Sequence, residues 1–137
     1  MILAALASPG FVEDAPLLVP VPQRLSRRLR RGYNPAGLLA RRAARSLGLT
    51  CLRWGLVKLR ATRDQATLAD AALRRTNVTG AFRASRPGAA AVCGRAVILV
   101  DDVLTTGATA ADCARALHDA GARDVRVLAF ARTLRRR

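Results

Sequence analysis

Apolar positions fall into short continuous runs separated by polar or small-residue stretches. This is the pattern of strands buried on both faces rather than half-exposed ones. Residues 16–22, PLLVPVP, form the first run. Prolines at 20 and 22 hold the preceding residues extended and fit only at a strand end or edge, which predicts a short strand ending in a rigid turn. Residues 52–60 predict a second strand, residues 95–100 (RAVILV) the clearest one, and residues 125–132 (VRVLAFAR) the last.

Two stretches carry helical spacing. In residues 35–47, Leu38, Leu39, Ala43 and Leu47 are expected on a buried face, with Arg41, Arg42 and Arg45 largely on the other. Asn34 is expected to cap this helix, with Pro35 at its first position and Gly48 at its end. Residues 107–120 predict a second helix, stopped by Gly121. Between the two lie an irregular polar stretch (60–75, with helical character from 68 to 74), a short strand (78–84) and a small-residue loop (85–94). The order strand–helix–strand–insert–strand–helix–strand predicts an α/β fold with an open, mainly parallel sheet flanked by helices, residues 1–137 making one domain. No run approaches the roughly 18 apolar residues of a membrane span. The apolar start MILAALASPGF is short and has no basic flank, so a helix on the first strand is expected there, not a signal peptide.

Composition sharpens this. A hydrophobic fraction of 51% excludes a disordered chain. The net charge of +15 is carried almost wholly by arginine, since Lys58 is the only lysine. That surplus fits an anionic partner, a phosphorylated small molecule or a nucleic acid, and codon bias toward arginine produces it equally well. Five arginines (24, 27, 28, 30 and 31) crowd the stretch QRLSRRLRRGYN. Only Tyr33 interleaves an aromatic ring there, so no base-stacking platform is evident. Trp54 and Phe82 are expected in core or hood packing, and Cys113, among alanines, in the core. Cys51, Cys93 and Cys113 are far apart, with no CxxC pair. No zinc is therefore expected in this chain, and the thiols fit a reducing cytoplasm.

The chemistry concentrates in residues 97–109, VILVDDVLTTGAT. A buried strand ending in Asp101 and Asp102 leads through Thr105, Thr106, Gly107, Ala108 and Thr109 into a helix. In open α/β sheets, ligands sit beyond the carboxyl ends of the strands. The first N–H groups of a helix lack intrahelical partners and, with the dipole, attract an anion. Gly107 lets the main chain approach a phosphate, and the threonines add hydroxyl donors. Paired carboxylates accept hydrogen bonds from vicinal hydroxyls. Together these describe a ribose 5-phosphate site. No Gly-Lys-Ser/Thr and no GxGxxG is present.

This segment resembles the phosphoribosyl pyrophosphate (PRPP) motif of type I phosphoribosyltransferases. VPVPQRLSRRLRRGYNPAGLLARRAARSLGL and TRDQATLADAALRRTNVTGAF resemble the corresponding segments of the ComF/GntX branch, which is linked to competence; the likeness spans about residues 17–132. The resemblance implies a PRPP site completed by Mg²⁺, the metal held with Asp101 and Asp102 through the ribose hydroxyls. It places the 5-phosphate on residues 105–109 and the pyrophosphate by the turn Pro22, Gln23 and Arg24, with Arg31, Tyr33 and Asn34 nearby and Arg63 and Gln65 on a flexible loop. The implied reaction is displacement of pyrophosphate by a nitrogen nucleophile. The alternative is a non-catalytic PRPP sensor, or a module acting with single-stranded DNA or the competence machinery. Two departures from the family pattern stand out: the four-cysteine N-terminal zinc module is missing, and Thr105 replaces the acid of hydroxypurine-specific members, which argues against hypoxanthine or guanine as acceptor.

Overall fold

The computed structural model describes residues 15–23, 32–59 and 80–132. Within them the chain runs β1 (Leu17–Pro20), α1 (Pro35–Leu47), β2 (Leu56–Lys58), β3 (Phe82–Ala84), α2 (Arg86–Val92), β4 (Ala96–Leu104), α3 (Ala108–Asp119) and β5 (Asp124–Arg132). The helices expected at the chain start and at 68–74 lie outside the described residues.

β4 is the centre of a three-stranded parallel sheet of order β1-β4-β5. Leu17 pairs with Val97 and Pro20 with Val100 on one side, and Ala96 with Asp124 through Leu104 with Arg132 on the other. Successive side chains point to opposite faces. Val97 and Leu99 accordingly join Leu17, Val19, Ala110, Cys113 and Leu117 in one core. Ile98 and Val100 join Leu18, Ala40, Ala44 and Leu128 in the other. Leu17, Leu18, Ile98 and Leu99 are fully buried. Each such side chain contributes roughly 1.5–3 kcal/mol.

β4 runs four residues beyond Val100, so Asp101 and Asp102 lie within the strand and do not terminate it. The physical reason is the neighbour: β5 keeps pairing to Arg132, and backbone groups so satisfied tolerate polar side chains.

The buried face of α1 also differs from expectation. Ala36, Ala40 and Ala44 are buried, with Leu39 and Ala43 beside them, while Leu38 is exposed. At 100° per residue, Leu38 stands on the far side of the helix from Ala36. Alanine on the inner face also lets the helix lie close to the sheet. Gly48 ends α1 in the left-handed conformation, with φ 65°. The chain then returns to the free edge of β1, where the Leu18 N–H donates to Thr50 O and the Leu52 N–H to Leu18 O.

The second strand proves to be three residues, and it pairs antiparallel with β3 in a separate two-stranded ribbon. The 85–94 stretch, expected as loop, contains α2. Ser85 caps it by accepting the Gly88 N–H at 2.9 Å, Pro87 sits in its first turn, and three alanines follow. Ser–Arg–Pro followed by alanines is a helix start in miniature; its brevity hides the periodicity. Among the described residues no helix is long and apolar enough to cross a membrane.

Gly88 seats α2 against the backbone of Gly55: a Cβ there would overlap the Gly55 carbonyl and lie 2.8 Å from Ser85 Oγ. We expect Gly88→Ala to cost about 2–3 kcal/mol in urea unfolding. An unchanged midpoint would show that this contact is not close-packed.

Candidate functional site

The loop after β4 is a turn at residues 105–107 that ends in Gly107, with φ 80° and ψ −4°, at the N-cap of α3. A β-carbon strains that backbone region, whereas glycine adopts it freely. Thr106 Oγ1 accepts the Ala108 N–H at 3.3 Å, and the Ala111 N–H bonds the Gly107 carbonyl. No acidic side chain stands in the first turn of α3. The amide-rich helix end is thus left electropositive beside the carboxyl end of β4.

Asp101 is buried and Asp102 half-buried. Asp101 Oδ1 accepts the Asp102 N–H at 2.9 Å, and Asp102 Oδ1 accepts the Val103 N–H at 3.0 Å. Each carboxylate therefore turns onto the next backbone amide of β4. Burial, and then the hydrogen-bonded neighbouring acid Asp102 with its charge, push the Asp101 carboxyl up to about 6. A carboxyl in that state is short of donors or cations.

The turn after β1 lies alongside. The Val21 N–H donates to Val100 O at 2.8 Å, so Val21 and Pro22 emerge beside Asp101. Asn34 occupies the N-cap position of α1, but its side chain makes no capping bond. Its Nδ2 instead donates to Val21 O at 3.0 Å, because the turn's carbonyl lies within reach. That bond ties the start of α1 to the end of β1. Gln23 Oε1 and Asn34 Oδ1 are buried oxygens without hydrogen-bond partners. Tyr33 is exposed beside them in sequence.

The structure thus brings Pro22, Gln23 and Asn34 to the same, carboxyl end of the sheet as Asp101, Asp102 and the loop of Thr105, Thr106, Gly107, Ala108 and Thr109. Arg24, Arg31, Arg63 and Gln65 lie outside the described residues.

Among the aromatic residues, Trp54 departs from expectation. Trp54 is not packed in the core or hood. It is 55% exposed, with the Arg53 guanidinium 5.7 Å from its ring centroid. A three-residue β2 leaves the turn before it on the surface. Phe82 does belong to the core, with the Lys58 ammonium 5.1 Å from its ring centroid. Cys113 is buried as expected, and burial, then the charges of Asp112 and Asp101, push its thiol far up.

Sequence reasoning missed Asp112. It lies on α3 among Ala110, Cys113 and Ala116, all buried. Its carboxylate accepts the N–H groups of Gly80, Ala81 and Phe82 at 2.8, 2.9 and 3.1 Å, and Arg115 pairs with it at 2.9 Å. Burial pushes this carboxyl up, but the bonds from Gly80, Arg115 and Phe82 outweigh it and hold the carboxyl below its ordinary value. An aspartate on the apolar stripe of a helix was the available signal.

Among the described residues no three His, Cys, Asp or Glu side chains cluster as a metal site. A magnesium ion here would take its remaining ligands from bound substrate and water. The fit is chemical: hard carboxylate oxygens at 101 and 102, and two buried amide oxygens at the adjoining turn that lack donors.

No protein-family model matches the sequence. The chain is 40% identical over 121 residues to the DNA utilization protein YhgH of Escherichia coli O157:H7, covering 88% of this chain and 50% of that protein. It is 35% identical over 115 residues to competence protein F of Haemophilus influenzae, covering 84% and 49%. The chain spans about half the length of these curated relatives. Among solved structures it is similar to phosphoribosylpyrophosphate synthetase of Mycobacterium smegmatis, with TM-score 0.56, 20% identity and coverage of 98% of this chain and 33% of that one. It is also similar to the glutamine PRPP amidotransferase of B. subtilis, with TM-score 0.54, 25% identity and coverage of 92% and 24%. In sequence the chain is similar to YhgH and competence protein F over about half their length, and its parallel sheet flanked by helices has the fold seen in the PRPP synthetase and PRPP amidotransferase structures.

Proposed function

We propose that the carboxyl end of β4 binds PRPP and that the protein transfers its phosphoribosyl group to a nitrogen nucleophile. One observation carries this reading: Asp101 and Asp102 lie late in β4, which ends at Leu104 and leads through a left-handed Gly107 into the N-terminus of α3. The 5-phosphate would take the N–H groups and hydroxyls of residues 105–109. The ribose hydroxyls would donate to Asp101 and Asp102, supplying the donors that the raised Asp101 carboxyl lacks. In the reaction the nucleophile's nitrogen bonds C1 while the bond from C1 to pyrophosphate oxygen breaks, and pyrophosphate leaves with the electron pair. Asp101 and Asp102 hold the ribose ring while positive charge develops near C1, which carboxylates favour. Magnesium, when bound, would neutralise charge on the departing pyrophosphate. Pro22, Gln23 and Asn34 border the space where that group would lie. The parts given to Arg24, Arg31, Arg63 and Gln65 rest on sequence resemblance. Thr105 offers no carboxylate to a hydroxypurine, which favours another acceptor. Three free thiols support a cytoplasmic setting.

A second reading has its own support. Trp54 is exposed, carries Arg53 near its ring, and is held through its carbonyl by the Ser85 hydroxyl at 2.6 Å. Arg83 and Arg86, on either side of Ser85 in sequence, are exposed. An exposed ring with one guanidinium near its face, and two exposed arginines close in sequence to the serine that holds its carbonyl, suits a stacked base and its phosphates. The relatives' names speak of DNA utilization and competence, so single-stranded DNA is the partner we infer for this face.

Three measurements check these readings. In calorimetry with PRPP and Mg²⁺, we expect Asp101→Asn/Asp102→Asn to weaken binding about 100-fold or more; equal binding by both proteins sinks the site. Trp54 is the only tryptophan, so its fluorescence should be quenched by oligothymidylate in a salt-sensitive way, and Trp54→Ala should lose about 1–3 kcal/mol of affinity. Absence of quenching would remove the DNA reading.

The third concerns pH. The folded carboxyl of Asp101 titrates near 6 and the unfolded one near 3.8. Between those values the folded state binds the proton more tightly, so stability falls as pH rises, and the full cost is present above about 6. Asp101→Asn should therefore raise stability at pH 7.5 by about 1–2 kcal/mol, or roughly 3–8 °C in Tm, after allowance for solvent screening. The gain should vanish near the unfolded carboxyl's pH, and a Tm no higher than wild type at pH 7.5 contradicts this account.

A further inference from the structure

We propose that Asp112 is a positioning residue that couples ligand binding at the 105–109 loop to the placement of the β2–β3 ribbon. The proposal rests on reading that loop as a phosphate site.

Both oxygens of Asp112 are fully engaged. Oδ1 accepts from Gly80 N and from Arg115 Nε and Nη2; Oδ2 accepts from Ala81 N and Phe82 N. The side chain is buried. Arg115 spans from Asp112 to Asp119 on the same helix, at 2.6 Å to the latter. The other root of the ribbon is drawn in as well, since the Leu59 N–H donates to Ala81 O at 2.8 Å. One carboxylate therefore fastens the start of β3 directly, and the end of β2 through it, to α3.

The position along α3 gives this staple its consequence. Asp112 lies four residues after Ala108, about 6 Å along the axis from the loop amides. A short helix packed in a core moves as a rigid unit. An anion that orders the first turn of α3 then also steadies the carboxylate that holds residues 80–82. Thermodynamic reciprocity requires the converse: loosening the ribbon weakens the anion site by the same factor.

Ribose 5-phosphate is the probe, on the full chain, with amide hydrogen exchange at residues 80–82 and calorimetric affinity as the two readouts. In wild type, saturating probe should slow exchange at 80–82 by about five- to tenfold. In Asp112→Asn the amide NH₂ faces either the Gly80 N–H and the Arg115 guanidinium or the Ala81 and Phe82 N–H groups. Exchange at 80–82 should then be fast and insensitive to probe, and affinity should fall by that same about five- to tenfold factor. Arg115→Ala removes two of the donors from a half-exposed side chain and should show both effects in weaker form, which covers an Asp112→Asn chain that does not fold. Three results would overturn the proposal. Probe bound by wild type with unchanged exchange at 80–82 refutes the coupling alone. Lost protection in Asp112→Asn with wild-type affinity makes the staple purely structural. No binding by wild type refutes the phosphate site together with the coupling.

Discussion

Every backbone N–H and C=O of an interior strand must be paired, and a strand between two others and between two helices has no face left for water. β4 is under that constraint from Ala96 to Val100. It satisfies it with an unbroken apolar run, parallel ladders to β1 and β5, and two cores that share its alternate side chains. α1 and α3 take their places because each must cover one face of this strand. The turn after β1 reaches the site because β1 runs parallel to β4 and ends level with Val100.

Where β4 leaves the core it carries two acids, and the fold treats its buried aspartates in opposite ways. Asp101 has one backbone donor and an acidic neighbour, so burial wins and its carboxyl is raised. Asp112 has three backbone donors and an arginine, so hydrogen bonding wins and its carboxyl is lowered. The first arrangement leaves a carboxyl short of partners. The second closes a joint between α3 and the ribbon. Burial costs stability at the one, and hydrogen bonding recovers it at the other.

Much of this was legible in the residues. The bounds of α1, the strand character of 95–100 and 125–132, the helix after Gly107 and the paired acids before it all follow from apolar runs, Gly and Pro positions and helix ends. The errors share a cause. Leu38, the extension of β4, the short α2 and exposed Trp54 each depend on which neighbour a segment meets, and local pattern carries no such information. Asn34 was placed at the right position, but its side chain found a carbonyl from a segment distant in the chain.

The sequence by itself determined the parallel α/β class, the contiguous Thr/Gly loop of residues 105–109 and the family likeness, because these rest on local runs and contiguous motifs. Only the tertiary structure decided that β2 and β3 form their own ribbon, that Trp54 faces solvent, that burial raises the Asp101 carboxyl, and that Asp112 binds residues 80–82. Burial and hydrogen-bond partnership are properties of pairs distant along the chain. They set a side chain's charge and exposure, and they exist only once the sheet has closed around β4.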